Sequence, residues 1–401
     1  MTEITDFAAI LLALGAGVAL AVLSTRLTAW IPIPSPAVFL VVAAVVSDLF
    51  PSLYAEVPVL TVERIAVVAL IVILFNGGMD IGWRRFRGAL GPVLSLGVFG
   101  TFATAGIVAV FAHYVLGFEW MTAGIIGAAL APTDPAVMFS VLGQREIEGR
   151  SGVTLEGEAG VNDPAGIALM IGMIELATHE DASGFVIVRE FAVEMAIGAA
   201  VGLIGALAMV ALLRRITLPA PALSPVLALA LAGALYGVTA LAHGSGFLAV
   251  FIAGLVVGDT RTPYKSEIER FHGALAVLAE IAVFVVLGLV VKIDSLTLDI
   301  WVDGIALVLA LVLVRPPVVL AALAPFSFSR GERAFIAWCG LKGAVPILLA
   351  AFAVLRGVEE ATTVFYIVFV VVLLSVIGQG TPVPWILRRL RIPTRETSAA
   401  G

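Results

Sequence analysis

Charge is what this chain has least of. Lys, Arg, Asp and Glu together make up only 13% of its 401 residues, about half the share that a soluble domain carries, while 61% are hydrophobic. That scarcity excludes a water-exposed surface of ordinary composition and leaves a lipid bilayer as the surrounding medium. Cysteine is nearly missing too. Cys339 stands alone, so no intrachain disulfide reports a compartment, and a small packed side chain is its plain reading. The four histidines, His113, His179, His243 and His272, fall near span ends with no two at metal-ligand spacing, which argues against a resident metal. No glycine-rich loop runs into Lys-Ser or Lys-Thr, and no nucleophile–base motif is present; both points argue against ATP-driven transport and against a hydrolase. Neither an enzyme, nor a cofactor, nor nucleic-acid binding is expected. The net charge of −6 adds little, because in a membrane protein the placement of charge says more than its sum.

What the chain does have is a succession of apolar runs near the ~20 residues that a hydrocarbon core of roughly 30 Å asks of a helix. The opening Met1–Asp6 is acidic where a secretory signal would be basic, so the run after it is expected to be a retained first span. Apolar runs between charged or Pro/Gly punctuation give thirteen candidate helices, at about 7–29, 36–54, 64–82, 89–116, 120–142, 152–177, 186–213, 222–242, 246–258, 268–291, 299–323, 333–355 and 362–387. The Pro-flanked second and the short ninth leave twelve as an alternative. Lys and Arg should collect in the cytoplasmic loops. With the C-terminus inside, seventeen of the 23 basic residues do so, Arg64, Arg189, Lys292 and Arg356 fall outside, and Arg315 and Lys342 lie within spans. The odd count then places the N-terminus outside.

A charge at mid-membrane costs about 2.5–3.5 kcal/mol on insertion scales, so each one needs a partner or a task. The fifth span contains Ala131-Pro132-Thr133-Asp134-Pro135, the sixth Glu156-Gly157-Glu158-Ala159-Gly160-Val161-Asn162-Asp163-Pro164, the eleventh Val314-Arg315-Pro316-Pro317 and the twelfth Gly340-Leu341-Lys342-Gly343-Ala344-Val345-Pro346. Each joins charge to a helix breaker, which predicts unwound backbone in all four. The fifth and twelfth stand at corresponding places in two six-span halves, the mark of inverted repeats with crossed, discontinuous helices. Asp134 is expected to face the positive helix N-termini at such a crossing and Lys342 the negative C-termini.

Asn162-Asp163 is the sharpest local signal: at a desolvated carboxylate, a proton and a cation compete for the same oxygens. Arg315, always charged, needs a carboxylate, with Glu158 the natural partner and Glu156 the alternative. Asp134 and Asp163 could instead be structural caps. Thr133 and Asn76 are equally suited to satisfying backbone or an ion, and Asp259 and Glu280 are expected to be solvated. Gly198, Gly202 and Gly205 suit close helix packing.

Taken together these residues resemble the monovalent cation/proton antiporter family 1, the NhaP and sodium/proton exchanger type. Thr133-Asp134-Pro135 is similar to its Thr-Asp-Pro motif, Glu158 to Asp163 to its Glu-Ser-x-x-Asn-Asp segment, and Arg315 and Gly340-Leu341-Lys342-Gly343-Ala344 to its helix arginine and Gly-Leu-Arg-Gly-Ala segment. The resemblance implies an all-α integral membrane protein of about thirteen transmembrane helices that exchanges Na+ or K+ for H+, one for one and without net charge movement. It implies a homodimer in the cell's inner membrane with dimerisation helices in 1–88 and, after a linker helix, in 178–298. The core halves would be 89–177 and 299–387, moving like an elevator, with 388–401 a cytoplasmic tail. Asp163 would bind the cation or proton, helped by Thr133, Asp134 and Asn162, while Glu158 and Arg315 would form a stabilising ion pair. Three departures stand out: Ala159 replaces the family serine, Asn76 stands where some members have glutamate, and Lys342 replaces arginine. The Gly-Glu-x-Gly-x-Asn-Asp-Pro wording resembles the potassium branch. The rival readings are a channel or sensor without coupled flux and a carrier of organic substrates.

Overall fold

The computed structural model describes residues 19, 22–23, 34–49, 58–134, 136–142, 145–178, 184–216 and 218–396, so the first span expected at 7–29 lies almost wholly outside the described residues. The helices are α1 (Ser35–Leu49), α2 (Val59–Ile81), α3 (Trp83–Tyr114), α4 (Trp120–Leu130), α5 (Ala136–Leu142), α6 (Arg150–Thr178), α7 (Gly184–Arg215) and α8 (Leu223–Leu241). They continue with α9 (Gly246–Asp259), α10 (Lys265–Leu289), α11 (Leu298–Ala322), α12 (Arg330–Trp338), α13 (Ala344–Leu355), α14 (Ala361–Gly380) and α15 (Val383–Arg389). Seven of these, α2, α3, α7, α8, α10, α11 and α14, are long and apolar enough to cross a membrane, and α1, α4, α9 and α13 are shorter apolar helices. The chain is a multi-pass membrane protein.

The fifth and twelfth spans are each split in two. In the fifth, Pro132 takes away a backbone donor just past the end of α4, and the helix resumes at Ala136. In the twelfth, α12 ends at Trp338 and α13 starts at Ala344, with Gly340 and Gly343 between them. The expectation of unwound backbone in the sixth and eleventh spans is wrong. α6 is continuous through Pro164 and α11 through Pro316 and Pro317, because a proline removes only its own hydrogen bond and packed neighbours hold the remaining turns. The fourth span begins earlier than the expected 89. Gly82, at φ +70°, turns the chain from α2 straight into α3, and the Asp259 carboxylate accepts from the Arg84 N–H in the first turn. Asp259 therefore caps a helix rather than simply meeting water.

Two sets of helices pack most extensively among themselves. One comprises α1, α2, α8, α9 and α10, with α7 against α9; the other comprises α3, α4, α6, α11, α13 and α14. Close approach in the first set needs small residues: a Cβ on Gly202 of α7 would lie 2.6 Å from the Ala249 Cα of α9. Within the second, α3 carries a π-turn over Ser95–Gly100 that presses Gly97 onto Val161 and the Glu158 carbonyl of α6. Besides the helices there is one short two-stranded antiparallel ladder among the described residues, β1 (Arg145–Ile147) with β2 (Thr394–Glu396). It pairs the segment leading into α6 with the one after α15, and backbone groups beyond the helix ends are free to form it.

Candidate ion-binding site

The two breaks cross each other. The Asp134 N–H donates to the Leu341 carbonyl at 2.8 Å, and Lys342 Nζ donates to the carbonyls of Ala131 at 3.1 Å and Pro132 at 2.9 Å, at the C-terminal end of α4. The Lys342 N–H donates to Ser375 Oγ at 3.0 Å, and that hydroxyl donates to Gln379 Oε1 at 2.6 Å on α14. On the other side, Gly343 lies against the Asp134 carboxylate, so closely that a Cβ there would fall 1.8 Å from Oδ2. A carboxylate thus stands at the first turn of α13 and an ammonium at the last turn of α4, the arrangement that helix dipoles favour.

α6 brings three polar side chains to this crossing. Glu158 is fully buried, and Arg315 of α11 reaches both its oxygens, at 2.7 Å and 2.8 Å. A Cβ on Gly340 would sit 2.6 Å from Arg315 Nε, so the second break also makes room for the guanidinium. Thr133 Oγ1 donates to Glu158 Oε1 at 3.3 Å and accepts from Asn162 Nδ2 at 2.8 Å. Arg315, Glu158, Thr133 and Asn162 therefore form one hydrogen-bonded chain that ends beside Asp163. A Cβ on Gly166 would meet Pro132 at 2.2 Å, which shows how tightly α6 lies on the first break.

Asp163 differs from its neighbours. It is 7% exposed, and its Oδ1 and the Oδ1 of Asn162 are both buried without a hydrogen-bond partner among the described residues. Its charge interacts with those of Asp134 and Lys342. Leaving two buried acceptor oxygens bare costs about 1–3 kcal/mol each, a cost that a proton or a small cation bound between them would relieve. Asp163, Asp134, Thr133, Asn162, Glu158, Arg315 and Lys342, the seven that the family resemblance or the helix breaks implicate, gather here.

Glu280 is the residue that sequence reasoning misplaced. Instead of being solvated, its Oε1 is buried with no hydrogen-bond partner among the described residues, and its charge interacts with that of Asp134. The cause is packing, because α10 is covered by α1, α2, α8 and α13. The available signal was a lone carboxyl within the apolar run Ala274–Leu289. Ser375 and Gln379, one turn apart on α14, were also missed. Asn76 donates to Asp80 on its own helix at 2.8 Å. Among the described residues no three His, Cys, Asp or Glu side chains group to hold a metal.

Comparison with known proteins places the crossing in context. The family described as sodium/hydrogen exchanger, transmembrane, matches residues 10–389. The chain belongs to that family. It is 37% identical to the K(+)/H(+) antiporter NhaP of Alkalimonas amylolytica over 83% of this chain and 58% of that protein. It is 34% identical to the K(+)/H(+) antiporter NhaP2 of Shewanella sp. (strain ANA-3) over 90% of this chain and 63% of that protein. The chain thus spans about three fifths of the length of these curated relatives. The structure of the sodium proton antiporter MjNhaP1 from Methanocaldococcus jannaschii at pH 8 superimposes with a TM-score of 0.80, at 22% identity, covering 97% of this chain and 99% of that one. This likeness establishes that the exchanger family member has the antiporter fold.

Proposed function

We propose that this exchanger is a secondary antiporter that carries a monovalent cation against H+, with potassium the first candidate cargo and sodium the second. The observation that carries the reading is the pair of sealed, donorless oxygens on Asn162 and Asp163 at the crossing of two broken helices. A carboxylate so placed holds either a proton or a cation, and this competition couples the two fluxes. Asp134 and Thr133 shape the site, and Glu158 with Arg315 braces α6 against α11. Lys342 neutralises the end of α4. Exchange is one for one, so the membrane potential cancels and each pH unit, about 1.4 kcal/mol, supports an approximately tenfold cation gradient.

Names given to the relatives at 34–37% identity favour potassium, and the 26% identical ApNhaP of Aphanothece halophytica, named a Na(+)/H(+) antiporter, keeps sodium in the test. The two sets of helices suggest the division of labour: the set holding the site moves as a core, elevator fashion, against the other, which forms a homodimer in the inner membrane. In this reading the core comprises 89–177 and 299–387, the dimerisation helices lie in 1–88 and 178–298, the C-terminus is cytoplasmic and the N-terminus outside. The test is dequenching of a pH-sensitive dye in everted vesicles on adding potassium, sodium or lithium. Wild type should respond, and Asp163→Asn should lose the response entirely. Normal exchange by Asp163→Asn would end the proposal, and a cation flux that moves no protons would replace it with a channel.

A further inference from the structure

On the lipid-facing side of α11 and α12 two adjoining cavities form a groove. The larger, about 550 Å³, is walled by Pro316, Leu320, Phe328, Ala334 and Ala337, with Arg330 and Arg333 at one end. The smaller, about 250 Å³, shares Pro316, Ala334 and Ala337 and runs on to Val312, Trp338 and Gln379. Leu320 is 53% exposed, so the apolar wall faces the bilayer.

The mouth is basic. Arg330 is exposed, and Arg333 donates one bond to the Phe326 carbonyl at 3.1 Å while its Nε is buried without a partner among the described residues. Arg150 adds a third guanidinium, 5.3 Å over the Phe328 ring. The acidic group on the same turn, Glu332, is already committed: it accepts from the Ser329 N–H at 2.8 Å and from Ser151 Oγ at 3.0 Å. Burial pushes its carboxyl up, but these bonds and Arg150 outweigh that and hold it below the usual carboxylate range. Positive charge is therefore in excess at the end of the groove. From Arg330 to Trp338 the groove follows eight residues of helix, about 12 Å, close to half of the roughly 30 Å hydrocarbon thickness.

We propose that this groove binds an anionic phospholipid of the cytoplasmic leaflet, its phosphate between Arg330 and Arg333 and one acyl chain along Pro316, Leu320, Ala334 and Ala337 towards Trp338. Charge at headgroup depth and apolar wall at acyl depth fit that occupant, and guanidinium–phosphate bonds are of the strong, charge-assisted kind. The assignment rests on the orientation proposed above and not on which ions move. Pro316 follows Arg315 and Trp338 precedes the second break, so the lipid packs behind the ion pair and steadies α11 against α12.

The experiment is thermal unfolding of lipid-stripped protein in mild detergent with phosphatidylglycerol, phosphatidylcholine or inorganic phosphate at equal concentration. Phosphatidylglycerol should raise the melting temperature by roughly 3–5 °C more than phosphatidylcholine, and phosphate should do nothing. Arg330→Gln with Arg333→Gln should lose the difference, whereas Arg214→Gln with Arg215→Gln, at the end of another helix, should keep it. Equal shifts with the two lipids, or a shift retained without Arg330 and Arg333, would overturn the site; a shift with phosphate alone would replace lipid by a free anion. Ala334→Trp, which fills the wall and leaves both arginines, must also lose the difference, and this arm decides if the double variant does not fold. Unfolding needs no transport, so failure here is distinct from failure of the antiport reading.

Discussion

The two broken spans reach one crossing by opposite chemistry. The first interrupts its helix with proline and offers a carboxylate, while the second does so with glycine and offers an ammonium. Each charge then serves the other span: Asp134 stands at the start of α13, and Lys342 holds the Ala131 and Pro132 carbonyls at the end of α4. Set beside them, α6 and α11 contain Pro164, Pro316 and Pro317 and do not break. Proline alone is thus not what opens a helix here. A break persists where the freed backbone groups find partners, as the Asp134 N–H finds the Leu341 carbonyl.

The sharpest way to break the symmetry is Lys342→Met. It strips two buried carbonyls of their donor and removes the cation whose charge interacts with that of Asp163, a loss of about 3–5 kcal/mol by analogy with half of a buried ion pair. We expect a large fall in the melting temperature in detergent and loss of cation-driven dye dequenching, with Lys342→Arg retaining much of both. A Lys342→Met protein that melts and transports like wild type would show that the ends of α4 are satisfied in another way.

Gly343→Ala is next in size. Its Cβ would fall 1.8 Å from Asp134 Oδ2 and 2.5 Å from Asp134 Cβ, so the carboxylate must leave the first turn of α13. The expected cost is about 1–3 kcal/mol, as for other overpacked sites, read as a lowered melting temperature, and exchange should weaken with it. Gly343 has φ −115°, so no left-handed backbone is at stake and the effect reports chiefly on the carboxylate's place. Unchanged stability would mean that Asp134 sits equally well elsewhere.

The broken fifth and twelfth spans were legible in the sequence because charge, proline and glycine coincide in apolar runs at matching positions. So was the meeting of Glu158 with Arg315, since an always-charged guanidinium in a span has few possible partners. Other features depend on information no local pattern holds. The π-turn at Ser95–Gly100 exists because Gly97 must approach Val161 on another helix. Glu280 Oε1 is buried on a helix that packs against four others, and Asp259 caps α3 only because Gly82 turns the chain towards it. The ladder between β1 and β2 joins segments some 250 residues apart.

Pro164→Ala makes the smallest change and tests the comparison most directly. If α6 stays helical because its neighbours hold it, the proline is a tolerated defect, and alanine restores a donor for the carbonyl one turn back. A Cβ on Gly160 would lie 2.3 Å from the Phe251 ring, so that turn is already clamped between helices and has little room to relax around the new bond. The gain should then be well below the ~3 kcal/mol that an interior proline costs an exposed helix, and we expect no more than about 1 kcal/mol, a small rise in melting temperature. A drop in stability would reverse the argument, because it would mean that Pro164 itself positions Asp163 and that the helix was built around it.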